Sequence, residues 1–360
     1  MRTPIPVPDE RAVRGSNLEP NGLTDIRRKR LADQYAPLKQ ESARYRRELK
    51  RLLSTRDLKR SRAIIEELKT DFHQQSAELR RDATKWETER AEFRSRLGRA
   101  LGRAVPSYRE LRGVQRKHRR ELEKVLAKWH DDIPPLEGIA LDVFPPDATI
   151  FTPPYPLVDT FTVEIADDEV DVSNRSFVLP DTGQFMLDAD IDDDQHTLPI
   201  TGALGAIFAN VVQVFVSCGV GYTMPRAGRV RVTAEMRNFY NYTLLSLKDN
   251  WGFSSGTLSA SCSLFASVLL PSVESVQSLL LFSTKLTSDG DNVSGVMPDI
   301  DQTAPVFIDV ITDATFNQAQ PVWVMAGCVV GVSSKLDDMH SHVRTKLWWQ
   351  VDRIGVSVVD

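Results

Sequence analysis

Cysteine is scarce in this chain. Cys218, Cys262 and Cys328 are odd in number and widely spaced, so neither a disulfide framework nor a zinc-ligand set is indicated. Each sits in an apolar, strand-like run and is expected as a buried free thiol. No cationic leader with an apolar run behind it opens the sequence; MRTPIPVPDERAVRGSNLEPNG reads as a polar arm with Pro4, Pro6 and Pro8. The expectation is cytoplasmic synthesis, with non-classical release or incorporation into a particle. Residues 197–224 lack Asp, Glu, Lys and Arg, yet Gly202, Gly205, Asn210, Gln213 and Gly219 interrupt them. A spanning helix wants about 20 predominantly apolar residues, and Val211, Val212, Val214, Phe215 and Val216 favour a buried strand instead. A glycine-rich phosphate loop, paired catalytic carboxylates and a CxxC motif are all missing.

Balanced charge is also missing, and in the opposite sense in each half. Residues 23–130 hold 31 Lys/Arg against 16 Asp/Glu, whereas residues 131–360 hold 11 against 30. The formal net charge of −4 hides that division. A cationic helical rod and an anionic β-rich head are implied.

The rod shows in a seven-residue interval. Leu58, Ile65, Phe72, Leu79, Trp86 and Phe93 recur in step, as do Leu31, Leu38, Tyr45 and Leu52 upstream. Downstream, Leu111, His118 and Val125 alternate with Tyr108, Gln115, Leu122 and Trp129. Seven residues make nearly two helical turns, so each set lines one narrow stripe, the pattern of a coiled coil. Ser54, Thr55 and Asp57 are cap-type residues between two phases. Gly98, Gly102 and Pro106 punctuate the next boundary, where Ser107 and Glu110 have capping-box spacing. Three helices are expected, near 24–53, 56–103 and 107–130, with the outer two folded back along opposite halves of the middle one. A stripe buried on one side of each helix also suggests a homo-oligomer through the rod. The arginine excess suggests an anionic polymer or an anionic membrane surface as partner.

Seven prolines lie between Pro134 and Pro156, and proline-dense sequence is stiff and extended. The expected division is therefore an arm at 1–22, a basic rod at 23–132, a proline-rich neck at 133–156 and an acidic head at 157–360. In the head the apolar period falls to two. Val230, Val232, Ala234 and Met236 form one run, and Leu258, Ala260, Cys262, Leu264, Ala266 and Val268 a second. The second leaves a row of serines and Thr257 on its solvated face. Val322 to Val332 form a third run, and Ile354, Val356 and Val358 close the chain. The fold class that follows is α+β and multidomain: an antiparallel helical coiled-coil bundle, then an antiparallel β-sandwich of jelly-roll type.

Candidate chemistry is sparse. Gly252-Phe253-Ser254-Ser255-Gly256 matches a nucleophile elbow, but a strand follows where that motif needs a helix. His340 and His342 have metal-pair spacing with no glutamate after them, and are expected as solvated loop histidines. Asp188, Asp190, Asp192, Asp193 and Asp194 supply hard oxygens at alternate positions, so Asp188, Asp190 and Asp192 are candidate Ca²⁺ ligands in an acidic loop. Asp193 and Pro199 stand where an EF-hand requires Gly and Glu. No cofactor is otherwise implied.

The expected function is that of a non-enzymatic, self-associating attachment protein whose stalk sets valency and whose head binds a protein or glycan. The alternative is a capsid or nucleic-acid-binding scaffold with basic helices on nucleic acid. A membrane-permeabilising protein is the third possibility.

Overall fold

The computed structural model describes residues 23–79, 83–130, 144–165, 170–194, 208–249, 255–269, 274–289, 292–297, 305–336 and 339–360. The arm at 1–22 and residues 131–143 of the neck lie outside them. Four helices come first: α1 Leu23–Leu52, α2 Thr55–Leu79, α3 Ala83–Ala104 and α4 Tyr108–His130. None of the described helices is long and apolar enough to cross a membrane. The strands follow as β1 Thr149–Phe151, β2 Leu157–Ile165, β3 Val170–Asn174, β4 Phe177–Leu179, β5 Gln184–Asp194, β6 Phe208–Thr223 and β7 Arg229–Asp249. The last six are β8 Ser255–Leu269, β9 Glu274–Asp289, β10 Val293–Met297, β11 Val306–Ile311, β12 Pro321–Leu336 and β13 Met339–Val359.

The helices pair differently from the expected plan. α1 packs on α4 and α2 on α3. The Tyr45 and His118 rings stack at 4.0 Å, and Phe72 meets Phe93 at 4.6 Å. α1 and α2 therefore form one arm of a helical hairpin, and α3 and α4 the other. A two-helix hairpin is what a narrow stripe suits best, because each helix then buries its one apolar side against the other. Leu38, Tyr45, Leu49, Ile65, Phe93, Leu97 and Leu111 are all buried; the side chains of Leu79 and Trp86 lie outside the described set. Among the described residues no large apolar side chain of the hairpin is exposed. The described part of the stripe is thus buried within one chain.

Both arms break at the same level. At the first break Ser54 and Asp57 form a reciprocal box: the Asp57 amide donates to Ser54 Oγ at 3.1 Å, and the Ser54 hydroxyl donates to Asp57 Oδ2 at 2.6 Å. This satisfies donors that the start of α2 would leave unpaired. The box expected from Ser107 and Glu110 does not form, since Ser107 Oγ has no hydrogen-bond partner. Gly98 and Gly102 lie within α3 and do not end it. A Cβ at Gly98 would meet the Tyr108 hydroxyl at 3.3 Å and one at Gly102 the Tyr108 ring at 3.5 Å, so the two glycines make room for that side chain.

The strands form two antiparallel sheets packed as a sandwich. Sheet one has the order β10-β7-β13-β5-β3, with β11 also on β7, β4 on β5 and β1 on β13; sheet two has the order β2-β6-β12-β8-β9. From β5 the chain passes to the opposite sheet at each step except the β8–β9 hairpin and the broken β10–β11 line. The resulting orders, β5-β13-β7-β10/β11 and β6-β12-β8-β9, are those of a jelly roll. The apolar alternation explains the arrangement: Val230, Val232, Ala234 and Met236 are fully buried, as are Leu258, Cys262, Leu264, Val324, Cys328 and Ile354. The three cysteines are free and buried. Asn210 on β6 and Ser334 on β12 both donate to the buried carboxylate of Asp193 on β5, linking one sheet to the other at the sandwich's end.

The hairpin and the sandwich each have their own core, and a third apolar cluster joins them. Leu38 of α1 and Leu122 of α4 pack with Phe161, Val163, Val211, Phe215 and Phe265 on the outer face of sheet two. The Arg28 guanidinium lies 5.9 Å from the Phe161 ring centroid. One end of that face of β8 is covered: Thr257, Ser259, Ser261 and Ser263 stay half-buried, whereas Phe265 and Ser267 are fully buried. The described end of the neck is held by the sandwich. Phe144 lies on Gly355, where a Cβ would come within 2.3 Å of its ring, and Arg353 sits 4.8 Å from the ring centroid.

Candidate functional site

The site lies on the outer face of sheet one, the side of the sandwich away from the hairpin. It arises from two β-bulges. In the pairing of β7 with β13, Tyr240 faces Trp348 and Asn238 faces Trp349, leaving Phe239 as an extra residue; Met236 faces Val351 and Glu235 faces Arg353, leaving Asp352 as an extra residue on the other strand. A bulge re-aims side chains and sharpens local twist. Here it brings Phe239 out beside Tyr240, 37% and 38% exposed. Trp348 is half-buried alongside, its ring centroid 5.7 Å from that of Phe239 and tilted by 45°. Trp349 points the opposite way into the core and donates to Asn241 Oδ1 at 2.9 Å. Asn241 is itself buried.

Polar groups rim these rings in cross-strand rows. Gln184 of β5, Gln350 of β13 and Arg237 of β7 lie side by side in register. The Gln184 amide donates to Gln350 Oε1 at 3.4 Å, and Arg237 pairs with Asp352 at 3.1 Å. Burial pushes the Asp352 carboxyl above its ordinary range, against the pull of the Arg237 charge. Further along, Arg231 pairs with Asp309 at 2.8 Å and Arg353 with Glu235. These bonds hold both guanidiniums above their ordinary values.

The acidic run lies on this face too, but as a strand and not as a loop. Asp188, Asp190 and Asp192 point outward from β5, each directly across from Lys346, Arg344 or His342 of β13. His342 Nε2 lies 2.6 Å from Asp190 and His340 Nε2 lies 2.8 Å from Asp192, while Arg344 reaches Asp190 at 3.6 Å and Lys346 reaches Asp188 at 3.8 Å. The expected solvated loop of histidines is therefore a strand, its rings engaged with the carboxylates that the spacing offered to calcium. Among the described residues no cluster of three or more His, Cys, Asp or Glu is placed to hold a metal ion. Asp167, Asp168 and Glu169 lie outside the described residues, as do Gly252, Phe253 and Ser254; Ser255 and Gly256 begin β8.

The aromatic trio is absent from the sequence-based expectations, although its signal is present. Inward residues of β7 are even-numbered through Met236 and odd-numbered from Asn241 onward. That parity change demands an extra residue between them.

No protein-family model matches this chain, and no curated protein matches it. Among solved structures it is similar to TmCBM61 in complex with β-1,4-galactotriose, at 7% identity and a TM-score of 0.16, covering 53% of this chain and 90% of that one. It is also similar to the isomalto-dextranase of Arthrobacter globiformis T6 complexed with panose, at 11% identity and a TM-score of 0.15, covering 47% and 23% of the two chains. A third likeness is to the enzymatically active domain of bacteriophage CBA120 tailspike protein 4, at 5% identity and a TM-score of 0.13, covering 52% and 19%. Scores this low carry no weight for the function of this chain.

Proposed function

We propose that this chain is a non-enzymatic attachment protein whose jelly-roll head binds a glycan across Phe239, Tyr240 and Trp348. The observation that carries the reading is the pair of opposed bulges, which hold three aromatic rings outward inside a rim of amides and ion pairs. A sugar ring presents C–H groups on its faces and hydroxyls at its edge. Aromatic faces match the first, and the planar amides of Gln184 and Gln350 can donate to and accept from the second. The carboxylates beside the rings are engaged with cations, Asp352 with Arg237 and Asp188 with Lys346, which favours binding over acid–base chemistry. The hairpin docks on the opposite sheet and sets the head's reach.

The test is a glycan array probed with the full chain, followed by titration of a retained glycan. Trp348→Ala and Phe239→Ala should each weaken binding by about tenfold, about 1.4 kcal/mol, with circular dichroism unchanged. An array that retains nothing, or undiminished binding by a folded Trp348→Ala variant, refutes the proposal.

A further inference from the structure

The level at which both arms of the hairpin break carries a belt of cations. On the outgoing arm stand Lys50, Arg51, Arg56, Lys59 and Arg60; on the returning arm stand Arg99, Arg103, Arg109 and Arg112, and all nine are exposed. The apolar node of Leu53, Leu101, Val105, Tyr108 and Leu111 holds the two arms together at this height. The same stretches contribute two carboxylates, Asp57, which caps α2, and Glu110. Among the described residues none of the nine forms an ion pair. Arg99 donates to Ser95 Oγ at 3.2 Å.

The density of this charge identifies the partner. Residues 99–112, the longer of the two stretches, rise about 20 Å at helical pitch, so a net of seven positive charges gives one per about 2.8 Å. Duplex DNA carries one negative charge per about 1.7 Å of its axis. Seven of the nine side chains are arginine, whose fork donates two parallel hydrogen bonds to a phosphate. An anionic membrane fits less well: an interfacial helix needs an apolar side to insert, and Leu52 and Leu58 are half-buried while the node beneath is closed. The acidic face of a neighbouring copy fits less well again, because Asp188, Asp190, Asp192, Asp309 and Asp352 already face cations of their own sheet.

We infer that this belt binds the phosphate backbone of nucleic acid without regard to sequence. The contact is made by charge and guanidinium forks on a paired-helix scaffold. Nothing in it reads base edges. The inference is independent of the glycan platform, which lies on the other side of the sandwich.

Fluorescence anisotropy of a labelled 30-base-pair duplex with the full chain tests it. Neutralising about four phosphates gives a slope of about −3.6 for log K against log salt, so affinity falls roughly 150-fold between about 50 and 200 mM salt. A variant carrying Arg56→Gln, Arg60→Gln, Arg99→Gln and Arg103→Gln should bind at least about tenfold more weakly, with a slope shallower by about two. Lys248→Gln, on an exposed position of β7, should change neither value. No binding at low salt, a slope near zero, or a folded quadruple variant with unchanged affinity overturns the inference. Capture of phosphatidylserine vesicles without capture of the duplex overturns it as well.

Discussion

Leu122→Ala and Phe215→Ala, alone and together, measure whether the hairpin and the sandwich share stability. Leu122 reaches sheet two from α4 and is 1% exposed; Phe215 looks outward from β6 and is 8% exposed. Phe215 stacks on Phe161 at 4.6 Å and meets the edge of Phe265 at 6.3 Å. Truncating a buried leucine costs about 2–3 kcal/mol in a small cluster, and truncating a buried phenylalanine about 3 kcal/mol. On an isolated sandwich Phe215 would sit on a solvated face, and its loss would cost far less. Both residues belong to one cluster, so the first truncation loosens the contact that the second would otherwise remove. The double variant should therefore cost less than the sum of the singles by about 1 kcal/mol. Urea unfolding of the full chain supplies all three values when followed both by far-ultraviolet circular dichroism, which weighs the helices, and by tryptophan fluorescence. Single costs below about 1 kcal/mol that add to within about 0.3 kcal/mol would refute the shared cluster.

Three further substitutions probe particular positions. Gly113 lies inside α4, and a Cβ there would meet nothing within 4 Å, so Gly113→Ala should raise the thermal midpoint, by about 0.8–1 kcal/mol of stability; a lowered midpoint contradicts the helix there. Gly327 is the opposite case, since a Cβ would stand 2.1 Å from the Val216 carbonyl oxygen in the middle of sheet two, and Gly327→Ala should abolish soluble expression. Asp352→Asn tests the buried carboxyl: a raised folded-state pKa means that the folded chain holds this proton more tightly than the unfolded one. That contribution is complete below the ordinary value of 3.8 and is lost as pH rises through the raised one. At neutral pH the ionised form is thus a net cost, and Asp352→Asn should melt higher than the parent there, with the gain vanishing in acid. A lower melting point at neutral pH would mean that the pull of Arg237 outweighs burial.

The strands were legible because each exposes one face to a core, and burial forces a period of two. Every apolar residue of the runs at 230–236, 258–268 and 354–358 lies inside. What covers the other face is not encoded in alternation: nothing in the spacing of Thr257 to Ser267 says that Leu38 and Leu122, far away in the chain, close over one end of it. The helical stripe was equally clear, yet a stripe fits any partner helix of matching period. The segment Arg80-Arg81-Asp82 between α2 and α3 offers no glycine or proline. The sevens run on through it from Phe72 to Phe93 as if the helix continued, and so the long middle helix of the sequence became two.

The aromatic platform has a stronger claim to have been readable, and its logic is general. On β7 the inward set runs Val230, Val232, Ala234, Met236 and then Asn241, Thr243, Leu245, Leu247; on β13 it runs Val343, Thr345, Leu347, Trp349, Val351 and then Ile354, Val356, Val358. Each strand changes parity once. If two paired strands are to keep both halves of both runs inside, the register must slip once on each strand, and the slips fall within a few residues of one another. Only Asn238, Arg237 and Met236 pair between them, with Trp349, Gln350 and Val351. The extra residues at the slips, Phe239 and Asp352, are released from the ladder by the same constraint that buries their neighbours. A parity change in two long strands of one sheet thus marks, in the order of residues alone, the place where the ladder slips and an extra residue leaves the regular alternation.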